Sequence, residues 1–247
     1  PGDRVYADIR GKGLMAAIIG SEPVSEGLHL VGAHLDAPRL DLKPTPLYED
    51  GEMAFLKTHY YGGIKKYQWT SIPLALRGVA VRRDGSRVRI AIGDGEGDPV
   101  LTITDLLPHL GAEQMQRKGS DLIKGEELNI LVGGIPTGEA GKKDRFRTTI
   151  LEWFYKRYGL FEKDLVHAEI EVVPAGKSRH VGLDGSFIGA YAQDDRVCSF
   201  TALMAFSALS KPARTCVLML SDKEEIGSEG NTGAQSRLYD NFLAEMF

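Results

Sequence analysis

Cysteine is scarce, with only Cys198 and Cys216 among 247 residues. Two thiols give no disulfide framework, and each lies in an apolar segment, the first on an expected helix and the second on an expected strand, so both are read as buried. Dense runs of one charge are also missing. The 30 Lys and Arg are dispersed along the chain against 34 Asp and Glu, for a net charge of -4. Without a basic field, nucleic acid and membrane surfaces are not expected partners. No apolar stretch approaches the roughly 18 residues that cross a bilayer, and no signal-peptide pattern is seen, so the cytoplasm is the expected location. Internal repeats and low-complexity tracts are lacking as well.

What is present is a chain that is 43% hydrophobic and long enough for one large domain or two smaller ones. Strands are expected at residues 4 to 9, 14 to 19 and 28 to 33, the first pair turning at Gly11 and Gly13. Val79 to Val81 and Val88 to Ile92, separated by Asp84-Gly85, read as a hairpin. Ile150, Leu151, Phe154 and Tyr155 recur at helical spacing before Gly159, predicting a helix over 147–158. Alternation at Val166, Ala168, Ile170 and Val172 predicts a strand. A helix over 195–209, a strand over 215–220 and a helix over 235–246 complete the pattern. The ends therefore read as α/β and the middle as mostly β, with a first part at 1–70, an insertion at 71–180 and a second part at 181–247.

Chemistry gathers where strands end. Glu224-Glu225 follows the apolar run Thr215 to Leu220, and two adjacent carboxylates suit divided labour: one ligates a divalent metal and the other accepts the proton of an attacking water. A ligating carboxylate loses basicity, so Glu225 is assigned as the ligand and Glu224 as the base. In His34-Leu35-Asp36, the i and i+2 side chains of an extended segment point the same way, which lets Asp36 orient the imidazole of a metal-binding His34. Asp194-Asp195 opens a helix, where carboxylates complement the helix N-terminus, but one of them can also bridge two metals. Gly93 to Gly97 is read as a turn, because no helix follows to make a phosphate loop. Ser221 is set aside as a nucleophile for want of a nearby His.

In order and context, His34-Leu35-Asp36-Ala37-Pro38, Gln193-Asp194-Asp195-Arg196 and Asp222-Lys223-Glu224-Glu225-Ile226-Gly227-Ser228 resemble the aspartyl aminopeptidase and aminopeptidase I family of zinc metallopeptidases. Tyr60-Tyr61-Gly62-Gly63 and Leu107-Pro108-His109-Leu110 are similar to further elements of that family. The resemblance implies an α/β zinc-peptidase sandwich interrupted by a β-rich dimerisation domain. It also implies two zinc ions, with Co or Mn as possible substitutes, and removal of acidic or neutral residues from peptide N-termini. By position, His34 and Glu225 each bind one metal, Asp194 bridges both, Glu224 and Asp36 serve catalysis as base and orienting group, and His109 binds substrate in a neighbouring subunit. Dimers assembling into a dodecamer are the implied homo-oligomer.

The family pattern continues with another ligating Asp and a ligating His after the Glu-Glu element, and residues 226–247 contain no His. The chain, which starts at Pro1, is therefore expected to be a central piece of a longer enzyme, with little turnover alone. The alternative from another class is a non-catalytic assembly or cargo-binding protein with a vestigial metal site. A related metallohydrolase acting on acyl-amino acids or sugars is a third reading.

Overall fold

The computed structural model describes residues 1–246. The chain forms β1 (Arg4–Ile9), β2 (Gly13–Ile18) and β3 (His29–His34), then β4 (Arg39–Asp50), β5 (Met53–Tyr61), β6 (Leu74–Val81) and β7 (Arg87–Ile92). Helix α1 (Ala112–Met115), β8 (Ile130–Gly133), helices α2 (Arg145–Tyr158) and α3 (Glu162–Leu165), β9 (Glu169–Pro174), β10 (Arg179–Val181) and β11 (Phe187–Gly189) follow. The last elements are α4 (Gln193–Ala208), β12 (Cys216–Ser221) and α5 (Arg237–Ala244). They make two compact units, one of Pro1–Pro38 with Ala192–Phe247 and one of Arg39–Tyr191.

The first unit is built on a four-stranded sheet of order β1-β2-β12-β3. β2 runs antiparallel to β1 and β12, and β3 lies parallel to β12. Strand periodicity divides the side chains between two faces. Met15, Ala17 and Val217 pack with Tyr239 and, less buried, Phe242 and Leu243 of α5. Ala16, Leu218 and Leu220 pack on the other face with Ala202 and Phe206 of α4. A helix on each face makes this an α/β domain, as expected. Gly20 is required by close packing, since a Cβ there would fall 2.4 Å from the Arg214 carbonyl carbon, and its N–H donates to Thr215 Oγ1 at 3.0 Å.

The second unit carries a six-stranded sheet of order β7-β6-β9-β4-β5-β8, all pairs antiparallel. Leu40, Leu56, Leu74, Leu76, Ile130 and Val172 fill its core, with Phe146 and Phe154 of α2. Glu49 accepts the N–H groups of Phe146 and Arg147 at 2.7 and 3.1 Å, placing a carboxylate at the N-terminus of α2. Gly159, at φ 63°, ends that helix where the sequence indicated. The Gly93 to Gly97 segment is a turn held by Asp98, whose carboxylate accepts the Gly93 and Gly95 N–H groups.

Three expectations change. The compact second unit runs from Arg39 to Tyr191, so the edges read at 70 and 180 fall inside it. The cause is β4 and β5, which pair with β9 and β8. Pro44 and Pro46 sit where the β4 register breaks between Leu42 and Leu47, which hid the strand pattern. Val166 lies in the turn after α3, and the alternation becomes a strand only from Glu169. The two cysteines are not both buried: Cys198 is exposed and Cys216 partly buried, both as free thiols. Cys198 is exposed on α4, as are Val197 and Phe200, whereas Ser199 is buried and Ala202 packs partly buried against the sheet. Among the described residues no helix is long and apolar enough to cross a membrane.

Candidate metal centre

Two neighbouring parallel strands, β3 and β12, end together in the first unit, with His34 opposite Ser221 in register. The sequence past their carboxyl ends is where α/β sheets place ligands. Leu35 N–H donates to the Ser221 carbonyl at 2.8 Å, carrying the pairing one residue further. Beyond β12, Lys223 takes φ 67° and starts a tight turn over Glu224–Ile226. Ser228 N–H closes it on the Lys223 carbonyl at 2.6 Å.

His34 is fixed by both its backbone and its ring. Its N–H donates to Asp195 Oδ2 at 3.4 Å, and its carbonyl accepts the buried Ser199 hydroxyl at 2.8 Å. The start of α4 therefore grips the end of β3. The ring Nδ1 lies 3.0 Å from the Asp36 carbonyl and 3.3 Å from Asp36 Oδ1. Nε2 faces Asp194 Oδ1 at 3.3 Å and Glu224 Oε2 at 3.8 Å.

Asp36 does more than its spacing in sequence suggested. Its carboxylate, buried at 6% residue exposure, also accepts the backbone N–H of Glu224 at 3.2 Å and of Glu225 at 3.3 Å. One side chain thus touches the imidazole and holds the turn that carries both glutamates. Glu224 is exposed and Glu225 partly buried. Asp194 is open to solvent, and both Asp194 and Asp195 have non-helical backbone angles, so the regular helix begins after them.

His34, Glu224 and Glu225 each offer a ligand atom within 4.8 Å of the others. Two ligand atoms at zinc distances of about 2.0–2.2 Å in a tetrahedral arrangement lie about 3.3 Å apart, the separation found between His34 Nε2 and Asp194 Oδ1. Borderline imidazole nitrogen with hard carboxylate oxygen is a donor set that suits zinc. These residues fit the metal.

Electrostatics follow from crowding acids around a half-enclosed ring. Burial lowers the His34 pKa, but Asp36, Glu224, Asp195 and the Asp36 carbonyl outweigh it, and the net shift is upward from 6.5. Burial raises Glu225 above 4.5, with Glu224, Asp36 and Asp194 adding to it against the lowering effect of His34. Both groups hold protons more tightly folded than unfolded, so their stabilisation is complete below the unfolded values and disappears as pH rises through the folded ones. Thermal melts of metal-free protein should therefore show this contribution fading as pH climbs above 4.5 for Glu225 and above 6.5 for His34, with zinc restoring stability most at the upper end. A melting temperature that rose over that range without metal would contradict the placement of His34 among these acids.

The structure brings His34, Asp36, Asp194, Glu224 and Glu225 together in one unit. His109 belongs to the other unit, exposed in the turn after Leu107. Ser221 is not remote from histidine, being the register partner of His34, but the ring nitrogens face Asp36, Asp194 and Glu224. Ser199 and Thr232 escaped the sequence reading because nothing local marks a hydroxyl as serving a distant backbone.

An α/β sheet with an imidazole and carboxylates at the ends of parallel strands is an arrangement of metal-dependent hydrolases. The chain belongs to the aminopeptidase I zinc metalloprotease (M18) family, whose pattern matches residues 1–247. A probable M18 family aminopeptidase 1 from Thermotoga maritima is 51% identical over 243 residues, 98% of this chain and 52% of the relative. Another from Clostridium acetobutylicum is 48% identical over 245 residues, 99% of this chain and 53% of the relative. The crystal structure of an M18 aminopeptidase from Thermotoga maritima superposes with a TM-score of 0.92 at 49% identity, covering 98% of this chain and 52% of that one. A yeast mApe1 dodecamer, at TM-score 0.71 and 21% identity, shares the fold. The chain spans about half the length of the relatives it matches.

Proposed function

We propose that the protein carrying this chain is a dinuclear zinc aminopeptidase that removes acidic or neutral residues from unblocked peptide N-termini in the cytoplasm. The observation that carries this is the convergence of His34, Asp194, Glu224 and Glu225 on one point beyond two parallel strands. His34 and Glu225 would each hold one ion and Asp194 would bridge them. Zinc bound there supplies Lewis acidity, polarising the peptide carbonyl and making water a better nucleophile.

The remaining work falls to the chain. Glu224, more exposed than Glu225, takes a proton from the attacking water as its oxygen bonds to the carbonyl carbon. The same carboxyl then gives that proton to the amine nitrogen as the C–N bond breaks, leaving a free amino acid and a shortened peptide. Asp36 keeps His34 and the Glu224-Glu225 turn in register throughout. The second unit is assigned to dimerisation, with His109 reaching a neighbouring subunit's substrate and dimers building a dodecamer, an assembly that its M18 fold relative from yeast forms.

A panel of aminoacyl arylamides and N-acylated amino acids tests the reading, with metal content measured on the same protein. Arylamides bearing a free α-amino group should be cleaved with about two zinc ions per chain, and the acylated compounds left intact. Cleavage of the acylated set alone would move the site to a different hydrolase class. A metal-free, inert protein would favour the non-catalytic assembly reading, which family membership does not.

A further inference from the structure

We propose that Thr232, clamped between Asp222 and Tyr239, is a positioning residue that sets the location of the Glu224-Glu225 turn. The inference rests on the roles given above to those two glutamates. Asp222 immediately precedes the turn and is buried at 7% exposure, as are Thr232 at 4% and Tyr239 at 3%. A buried carboxylate needs a donor, and Thr232 Oγ1 supplies one to Asp222 Oδ2 at 2.6 Å. The Thr232 carbonyl in turn accepts the Tyr239 hydroxyl at 3.0 Å. Burial, reinforced by the Asp222 charge, pushes the Tyr239 pKa up to about 12, which keeps that hydroxyl a donor.

The chain after the glutamates thus doubles back onto the residue before them. Gly233 forms a parallel bridge with Asp222, and a Cβ at Gly233 would lie 2.1 Å from the Ser228 carbonyl oxygen, so the return path is as tight as backbone permits. Gln235 adds two tethers, its Nε2 to the Gly227 carbonyl at 2.7 Å and its N–H to the Ser228 carbonyl at 3.2 Å. Tyr239 is seated with Ile9, Met15, Ala17 and Val217, on the sheet face away from α4. Helix α5 therefore indexes the glutamates to the sheet through Tyr239, Thr232 and Asp222, while α4 indexes His34 through Asp195 and Ser199. A shift of α5 moves the base relative to the imidazole.

The test compares Thr232→Val, Thr232→Ser and Tyr239→Phe with wild type in the protein carrying this chain. Zinc affinity, amide hydrogen exchange at Glu224 and Glu225 in metal-free protein, and kcat and KM would be measured. Thr232→Val should weaken zinc binding or lower kcat by roughly 10- to 100-fold with KM little changed. It should also speed exchange at the two glutamate amides, and Thr232→Ser should restore all of these. Tyr239→Phe, which keeps the ring and removes only the hydroxyl, should give a smaller change in the same direction and decides the matter if Thr232→Val does not fold. Wild-type zinc affinity and glutamate exchange in folded Thr232→Val, or in Tyr239→Phe where it stands in, would overturn the proposal. Failure of wild type to bind zinc would instead overturn the metal-site reading, while the exchange data would still report on the clamp.

Discussion

Glu224→Gln is expected to lower kcat by about 10²–10⁴-fold, roughly 3–5 kcal/mol of barrier, while zinc content stays near wild type. Glutamine keeps the shape and one oxygen but cannot take a proton from water. The turn should survive the change, because what holds it is the backbone N–H groups of residues 224 and 225 on Asp36 and the Ser228 closure on Lys223. Glu225→Gln separates the two roles, since it should cost metal affinity. Steady-state kinetics with metal analysis on each variant reads both quantities. Undiminished turnover in Glu224→Gln would remove that residue from proton transfer, and loss of metal from Glu224→Gln alone would exchange the two assignments.

Asp36→Ala should produce the largest combined loss of stability and metal affinity. Its carboxylate meets the His34 ring and two backbone N–H groups in a buried setting, and alanine leaves all three without that acceptor. At about 1–3 kcal/mol for a buried donor left unsatisfied, with water able to enter on the exposed side of the turn, a destabilisation of about 2–4 kcal/mol is expected. Zinc affinity should fall by roughly 10- to 100-fold as ring and turn lose their common anchor. Asp36→Asn retains one oxygen and should recover part of both. Denaturant melts and zinc titration are the measurements. An alanine variant equal to wild type in both would show that Asp36 is a bystander.

The sheet of the first unit was legible because β2 and β12 are apolar runs with turn residues beside them, and because α4 and β12 differ in length and texture. The site was legible for the same reason: His34, Asp194 and the glutamates each sit at a change of element, where polar residues interrupt apolar runs. The second unit was harder to read. β4 carries Pro44 and Pro46 at a register break, so a twelve-residue strand had no period to show. Burial of Cys198 was also misjudged, because the apolar residues around it on α4, Val197, Phe200 and Met204, are exposed. Hydroxyl groups such as Ser199 and Thr232 act on partners far along the chain, a relation that periodicity does not encode.

His34 is the last residue of a strand at the margin of its sheet, and this bears on self-association. Because Leu35 N–H points to β12, strand alternation turns the His34 N–H and carbonyl outward. Outward-facing backbone on a marginal strand is a template for another strand, and Leu30 and Val31 are exposed beside it. Asp195 and Ser199 occupy those two groups at His34. Side chains of α4 therefore stand in for a neighbouring strand at the ligand, and any chain that adds to β3 must leave the ladder before it reaches the imidazole. Edge pairing at His34, including the kind that starts aggregates, would have to displace these two contacts.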